Sequence, residues 1–310
     1  MLRFRFTTED VLRVRFATRP APLLELGIAM ATLQRRDPVF ASWARRTRVP
    51  PAARPLLELI PPDALGPLFL DPVTATLDEG VDTVMSTPHD VARAELVAKT
   101  RPGGLPRRLA GRDAAAWRTL AEALRTGYDA VVAPDAARVR ASFDADLAWR
   151  RRLLAEQGVG AALASVYPGT RWEGGTLLID VPRDAAPALD GRGVTLMPSA
   201  FWTGGPMYNR HPDGSTLLVY PALTPLPLVE PDPGDALSAL LGRTRAAILA
   251  LLLERRTTGE LARALRISPA SASAHAKALR AAGLAVTHRT GKSVRHSATP
   301  LGRALLSRVG

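Results

Sequence analysis

Cysteine is absent from the 310 residues, and this removes a disulfide framework, a thiolate zinc site, a cysteine-ligated iron–sulfur cluster and a cysteine nucleophile. Long apolar runs are missing too. The longest, Ala246 to Leu253, has eight residues, against the roughly 18–20 needed to span a bilayer. The first residues, Met1-Leu-Arg-Phe-Arg-Phe-Thr7, place no apolar block behind their charge, so they carry no secretory signal and predict a soluble, cytoplasmic protein without a membrane partner. Lysine is scarce: only Lys99, Lys277 and Lys292 occur. Among abundant Ala, Arg, Gly and Pro this reflects the codon bias of a GC-rich coding sequence, so the preference for Arg over Lys is silent on function.

What is present is core-forming material. Hydrophobic residues make up 46% and charged residues 23%, which fits one large or two medium domains and excludes global disorder. The position of the charge is informative. Of the net +12, residues 235–310 carry +10, from 11 Arg and 2 Lys against Asp235, Glu254 and Glu260, which leaves +2 for residues 1–234. Basic charge concentrated in a quarter of the chain points to a polyanionic partner.

The charge shift coincides with a change in composition. Pro221 to Gly234 holds five prolines in fourteen residues, and proline fixes φ and pushes its predecessor out of the helical region. The stretch reads as a stiff, extended connector. The expected organisation is therefore an α+β chain with a mixed helical and antiparallel-sheet domain at 1–220, a linker at 221–234 and a basic domain at 235–310. In the first domain, Leu2–Phe6 and Leu12–Phe16 alternate with period two and predict strands joined as a hairpin across Thr7–Asp10. Pro20 to Leu33 and Arg138 to Gln157 predict helices, with several short ones between 35 and 135. Thr176–Val181, Gly193–Met197 and Ser215–Tyr220 are apolar runs between Gly-rich turns and predict a small antiparallel sheet.

The basic domain is more explicit. Leu237–Leu241 and Thr244–Leu253 are apolar helical segments. Thr257-Thr258-Gly-Glu-Leu-Ala-Arg-Ala-Leu265 reads as a short helix with a threonine N-cap and an acidic first turn. After a tight turn at Arg266-Ile267, Ser268 caps a second helix with Pro269 at its first position, and Gly283 supplies the left-handed residue that ends it. Two helices joined by three or four residues have the spacing of a helix-turn-helix. On the second, Ala272, Ala276 and Leu279 make an inward face. Ser271, Ala274, His275 and Ala278 make another, small and polar enough for a major groove about 12 Å wide. Leu284–His288 and Ser293–Ser297 predict a β-hairpin whose tip carries Arg289 and Lys292, placed to touch phosphates. Pro300 to Val309 predicts a closing helix.

This order of elements, and in particular Ser273, His275, Lys277, Leu279, Gly283 and Leu284, resembles the winged helix-turn-helix of the ArsR family of bacterial transcriptional regulators. The resemblance is confined to the basic domain. It implies a homodimer on double-stranded DNA, at a palindromic operator, with the outer helices pairing and two recognition helices in successive major grooves. It also implies DNA contacts by Thr258, Ser268, Ser271, Ser273, Ala274, His275, Lys277, Arg280, Arg289, Lys292 and Arg295. Ala274 departs from the family pattern, in which a longer polar residue is common. The chain ahead of the basic domain resembles the long N-terminal regions fused to such domains in some regulators.

Thiolate metal sensing is excluded, because soft metals need sulfur ligands, and Pro300–Val309 has no His, Asp or Glu for a metal site at the terminal helix. No metal, cofactor or catalytic residue is expected. Arg289-Thr-Gly-Lys-Ser293 imitates the end of a P-loop, but the required first glycine is Val286. Asp144 and Asp146, two apart on a helix, face different directions. No Gly-x-Ser-x-Gly elbow occurs, and the Gly-Gly pairs at 103, 174 and 204 read as turns. Trp172, Phe201, Trp202, Tyr208 and Tyr220 read as core aromatics. His89 and His211 fall in expected loops, and His288 and His296 at ordinary exposed strand positions. The sequence thus predicts a DNA-binding regulator, a repressor, controlled through residues 1–234 by a small organic effector or by dimer geometry. The alternatives are an enzyme in residues 1–234 with a nucleic-acid-binding tail, and a winged helix used for protein interaction.

Overall fold

The Thr7 hydroxyl accepts a hydrogen bond from the Asp10 N–H at 3.2 Å, and the Asp10 carboxylate accepts one from the Thr7 N–H at 2.9 Å. This reciprocal capping box starts a helix, α1 (Thr8–Leu12), where the alternating pattern predicts a hairpin turn. The flanking strands, β1 (Leu2–Arg5) and β2 (Arg15–Phe16), consequently join different sheets. The computed structural model describes residues 1–210, 214–223, 237–238, 240–265, 267–290 and 293–307. It divides into two compact units, Met1–Leu228 and Val229–Gly310. No helix among the described residues is long and apolar enough to cross a membrane.

The larger unit is mixed. After β2 come α2 (Pro22–Arg35), α3 (Ala41–Arg46), α4 (Leu77–Met85), α5 (His89–Lys99), α6 (Gly104–Ala110), α7 (Ala114–Val131), α8 (Ala136–Gln157) and α9 (Val159–Ala164). The strands β3 (Arg171–Glu173), β4 (Thr176–Ile179), β5 (Val194–Ser199), β6 (Met207–Arg210) and β7 (Thr216–Pro221) follow. Every residue of α2 from Leu23 to Thr32 is buried, and all but Glu25 and Thr32 of that run are apolar, as suits a helix enclosed by the core. One core gathers around it, and a second lies under β1, β4 and α9.

The expected single antiparallel sheet is not what forms. β4 belongs to an antiparallel sheet of order β1-β4-β3, while β2, β5 and β7 run parallel, with β6 antiparallel at the edge. The reason is visible in β5 and β7, which are buried along nearly their whole length. A near-continuous apolar run suits a parallel strand covered on both faces, whereas alternation suits a half-exposed antiparallel one.

In the smaller unit, α10 (Arg243–Leu251) precedes β8 (Arg256–Thr257), α11 (Thr258–Leu265), α12 (Pro269–Ala281), β9 (Ala285–Thr290), β10 (Ser293–Ala298) and α13 (Pro300–Ser307). Leu249, Leu261, Ala272, Leu279 and Leu284 are buried in one core. β10 pairs antiparallel with both β9 and β8, so the hairpin is part of a three-stranded sheet, order β8-β10-β9. Gly302 sets how closely α13 returns: a Cβ there would lie 2.3 Å from the Leu284 carbonyl oxygen.

Candidate nucleic-acid interface

The two helices of the expected motif are each fixed by local capping. At the start of α11, the Thr257 N–H donates to Glu260 Oε2 at 2.7 Å and the Glu260 N–H donates to Thr257 Oγ1 at 3.3 Å. Those bonds hold the Glu260 carboxyl below its ordinary pKa, with Arg295 and Arg256 adding a smaller effect of the same sign. At the start of α12, Ser268 Oγ accepts from the Ser271 N–H at 3.1 Å, with Pro269 in the first turn. The helix ends before Gly283 at φ +71°, a left-handed conformation that an L side chain strains to adopt. Arg266 lies outside the described residues, and the Ile267 N–H donates back to the Ala262 carbonyl at 3.0 Å, closing the link between the helices.

On α12, Ala272, Ala276 and Leu279 are buried. In the body of the helix Ser273, Ala274, Lys277 and Arg280 are exposed. Ser271, His275 and Ala278, grouped with Ala274 by the sequence pattern, are only half-buried and flank that stripe. The outward face is thus centred on Ser273 and Lys277 rather than on Ser271 and His275. Ser268 is exposed but its hydroxyl is spent on the cap. The helix presents two basic side chains and no acidic one.

The remaining candidates divide. Arg289 stands opposite Val294 in the last pair but one of the β9–β10 ladder, and Arg295 is exposed on β10 opposite His288. Lys292 and His211 lie outside the described residues. Thr258 is half-buried, and its hydroxyl lies 3.1 Å from His296 Nε2, so it faces the protein interior.

His296 itself corrects an expectation. It is 8% exposed, with its ring held between Thr258 of α11 and Thr287 of β9. Its Nδ1 lies 2.9 Å from Thr287 Oγ1 on β9, and Arg280 Nη1 donates to the same Thr287 oxygen at 3.3 Å. Burial, then the Arg280 charge, lower the His296 pKa from its ordinary value. Beside it, His288 Nε2 lies 3.0 Å from Ser297 Oγ. The sequence signal for this site is faint: a histidine and two threonines, each ordinary in a strand or a cap.

In the larger unit the expected loop residue His89 opens α5 and places Nε2 3.0 Å from the Ala110 carbonyl oxygen. Phe201 and Trp202 sit in one core and Tyr220 in the other, with Trp172 and Tyr208 packed against the latter. Asp144 pairs at the surface with Arg140, while Asp146 is fully buried. Its carboxylate accepts from Arg150 Nε and Nη2, Tyr220 OH and the Leu223 N–H, at 2.8–3.1 Å.

Compared with known proteins, residues 242–286 match the family model described as bacterial regulatory protein, arsR family. The matched segment runs from Gly242, ahead of α10, through both helices of the motif to the start of the wing. The smaller unit therefore carries an ArsR-family helix-turn-helix, a DNA-binding domain of the transcriptional-regulator type. No curated protein and no solved structure matches the chain.

Proposed function

We propose that this chain, ending in an ArsR-family DNA-binding domain, is a sequence-specific transcriptional repressor whose control resides in residues 1–228 rather than in metal binding. One observation carries the reading: within the matched segment, the face of α12 that turns outward bears Ser273, Lys277 and Arg280 and no acid. A helix of this kind enters the major groove with small side chains against base edges and cations near phosphates. The wing, with Arg289, Lys292 and Arg295, supplies backbone contacts that fix register without reading sequence. The functional form is a homodimer with its recognition helices about 34–36 Å apart, one DNA turn. The protein acts in the cytoplasm. A small organic molecule, bound by the larger unit, changes that spacing and releases the operator.

The test is a salt titration of duplex binding by the full chain. Counterion release makes log K fall linearly with log salt. Replacing Arg289 and Lys292 with Ala should flatten the slope by about 1–2 units per bound subunit, about equally for all sequences. An unchanged slope with the fold intact removes the wing from the interface. Absence of duplex binding at any salt removes the proposal.

A further inference from the structure

We infer that His296 is a positioning residue for DNA recognition: with Thr287 it forms a directional hydrogen-bond relay that aims Arg280 of the recognition helix from inside the wing. The inference rests on the reading of α12 as the DNA-reading helix.

Arg280 can only donate, and it donates to Thr287 Oγ1. A hydroxyl that has accepted keeps its own proton for donation, and the next polar atom is His296 Nδ1 at 2.9 Å. Accepting there leaves the proton of the neutral ring on Nε2, directed at Thr258 Oγ1, 3.1 Å away. Each group then has one role: Arg280 to Thr287, Thr287 to His296, His296 to Thr258. Three elements are tied together, namely the recognition helix, the wing and the first residue of α11. Because the ring is almost fully enclosed, it has little water to substitute for a lost partner.

Protonation breaks the order. A charged ring donates from both nitrogens, so Thr287 Oγ1 would have to accept from Arg280 and from His296 at once, with two cations meeting at one oxygen. Arg256, opposite His296 across β10 and β8, is paired with Glu254 at 2.8 Å and adds no free charge there. Glu260 in the first turn of α11 is the acid nearby, and it is engaged by Thr257. His288 on β9 is turned to Ser297. The charges around the ring favour its neutral form, and acidification should release Arg280.

The experiment uses the full chain, a randomised duplex library to obtain the selected sequence, and random duplex as competitor. Arg280→Ala and Thr287→Val should each lower the ratio of selected to random binding by about three- to tenfold, the effect of one net hydrogen bond. The double variant should be no worse than Arg280→Ala alone, since both cut the same relay. His296→Gln, which can accept from Thr287 and donate to Thr258, should keep the ratio near neutral pH and remove its decline on acidification. Additive losses, or a His296→Gln ratio that falls on acidification as the wild type's does, overturn the relay. Nitrogen NMR of the free protein reads the ring without DNA: the relay requires the Nε2–H tautomer, and finding Nδ1–H contradicts it. Wild-type protein that prefers no duplex at all would sink the DNA-reading role, while the tautomer would still decide the relay.

Discussion

Asp146 shows how much one side chain can organise. Its two oxygens accept four hydrogen bonds, from α8, from β7 and from the backbone of Leu223. Removing the carboxylate would strand the Arg150 guanidinium, which is only 1% exposed. Breaking a buried pair from one side is far worse than never having had it. Asp146→Ala should therefore cost about 3–5 kcal/mol in the stability of the larger unit, read from its urea midpoint; a loss within the range of ordinary surface changes would contradict the geometry. Glu25 makes a separate prediction. Burial pushes its carboxyl up to about 8 against the hydrogen bonds from Ser199 and Ala200 that favour the anion. An acid whose folded pKa is raised binds more protons folded than unfolded. Stability is thus greatest below the unfolded value near 4.5 and is lost as pH rises towards about 8. Glu25→Gln should flatten that decline in a pH series of thermal midpoints. Neither residue can be singled out from sequence, because their partners Tyr220 and Ser199 lie 74 and 174 positions away. The same is true of His296, whose partner Thr258 is 38 positions upstream.

At the scale of elements, what is legible in the sequence is whatever is local. Ser268 and Pro269 mark the start of α12 and Gly283 its exit, because each supplies a specific backbone need close to itself in the chain. Ser268→Ala should lower the stability of the smaller unit by about 1 kcal/mol, the usual worth of such a cap. Circular dichroism of the full chain would follow it, and an unchanged melting profile would show that the cap is redundant. The inward face of α12 is equally readable, since spacing alone groups Ala272, Ala276 and Leu279. The outward face is not. Spacing cannot say that a third strand, β8, pairs with β10 of the wing, or that Ser271 and His275 end up part-way in. β8 has two residues, too short for any period. The hairpin expected at Thr7–Asp10 fails for the opposite reason: a clear alternation on either side masks a capping box between them, and the intervening helix sends β1 and β2 to different sheets. Parallel pairing of β5 with β7 is non-local and leaves no mark in the run of either strand beyond its being apolar on both faces.

The whole molecule combines a near-neutral large unit with a basic small one, joined through a proline-rich stretch of which residues 224–234 lie outside the described part. That division of charge supports the proposed assignment of DNA to the last quarter of the chain and of control to the larger unit. Full chain and residues 235–310 should then differ in one respect: an organic effector releases DNA from the full chain only, whereas release by divalent metal or arsenite from the small fragment would overturn the assignment. The most direct measurement is selection of bound duplexes from the protein's own genomic DNA, followed by sequencing. The account predicts enrichment of a two-fold symmetric site with half-sites about 10–10.5 base pairs apart, and binding that weakens steeply with salt. A retained pool with no shared motif, still sensitive to salt, would mean that the basic unit holds DNA without reading it and would contradict the central claim.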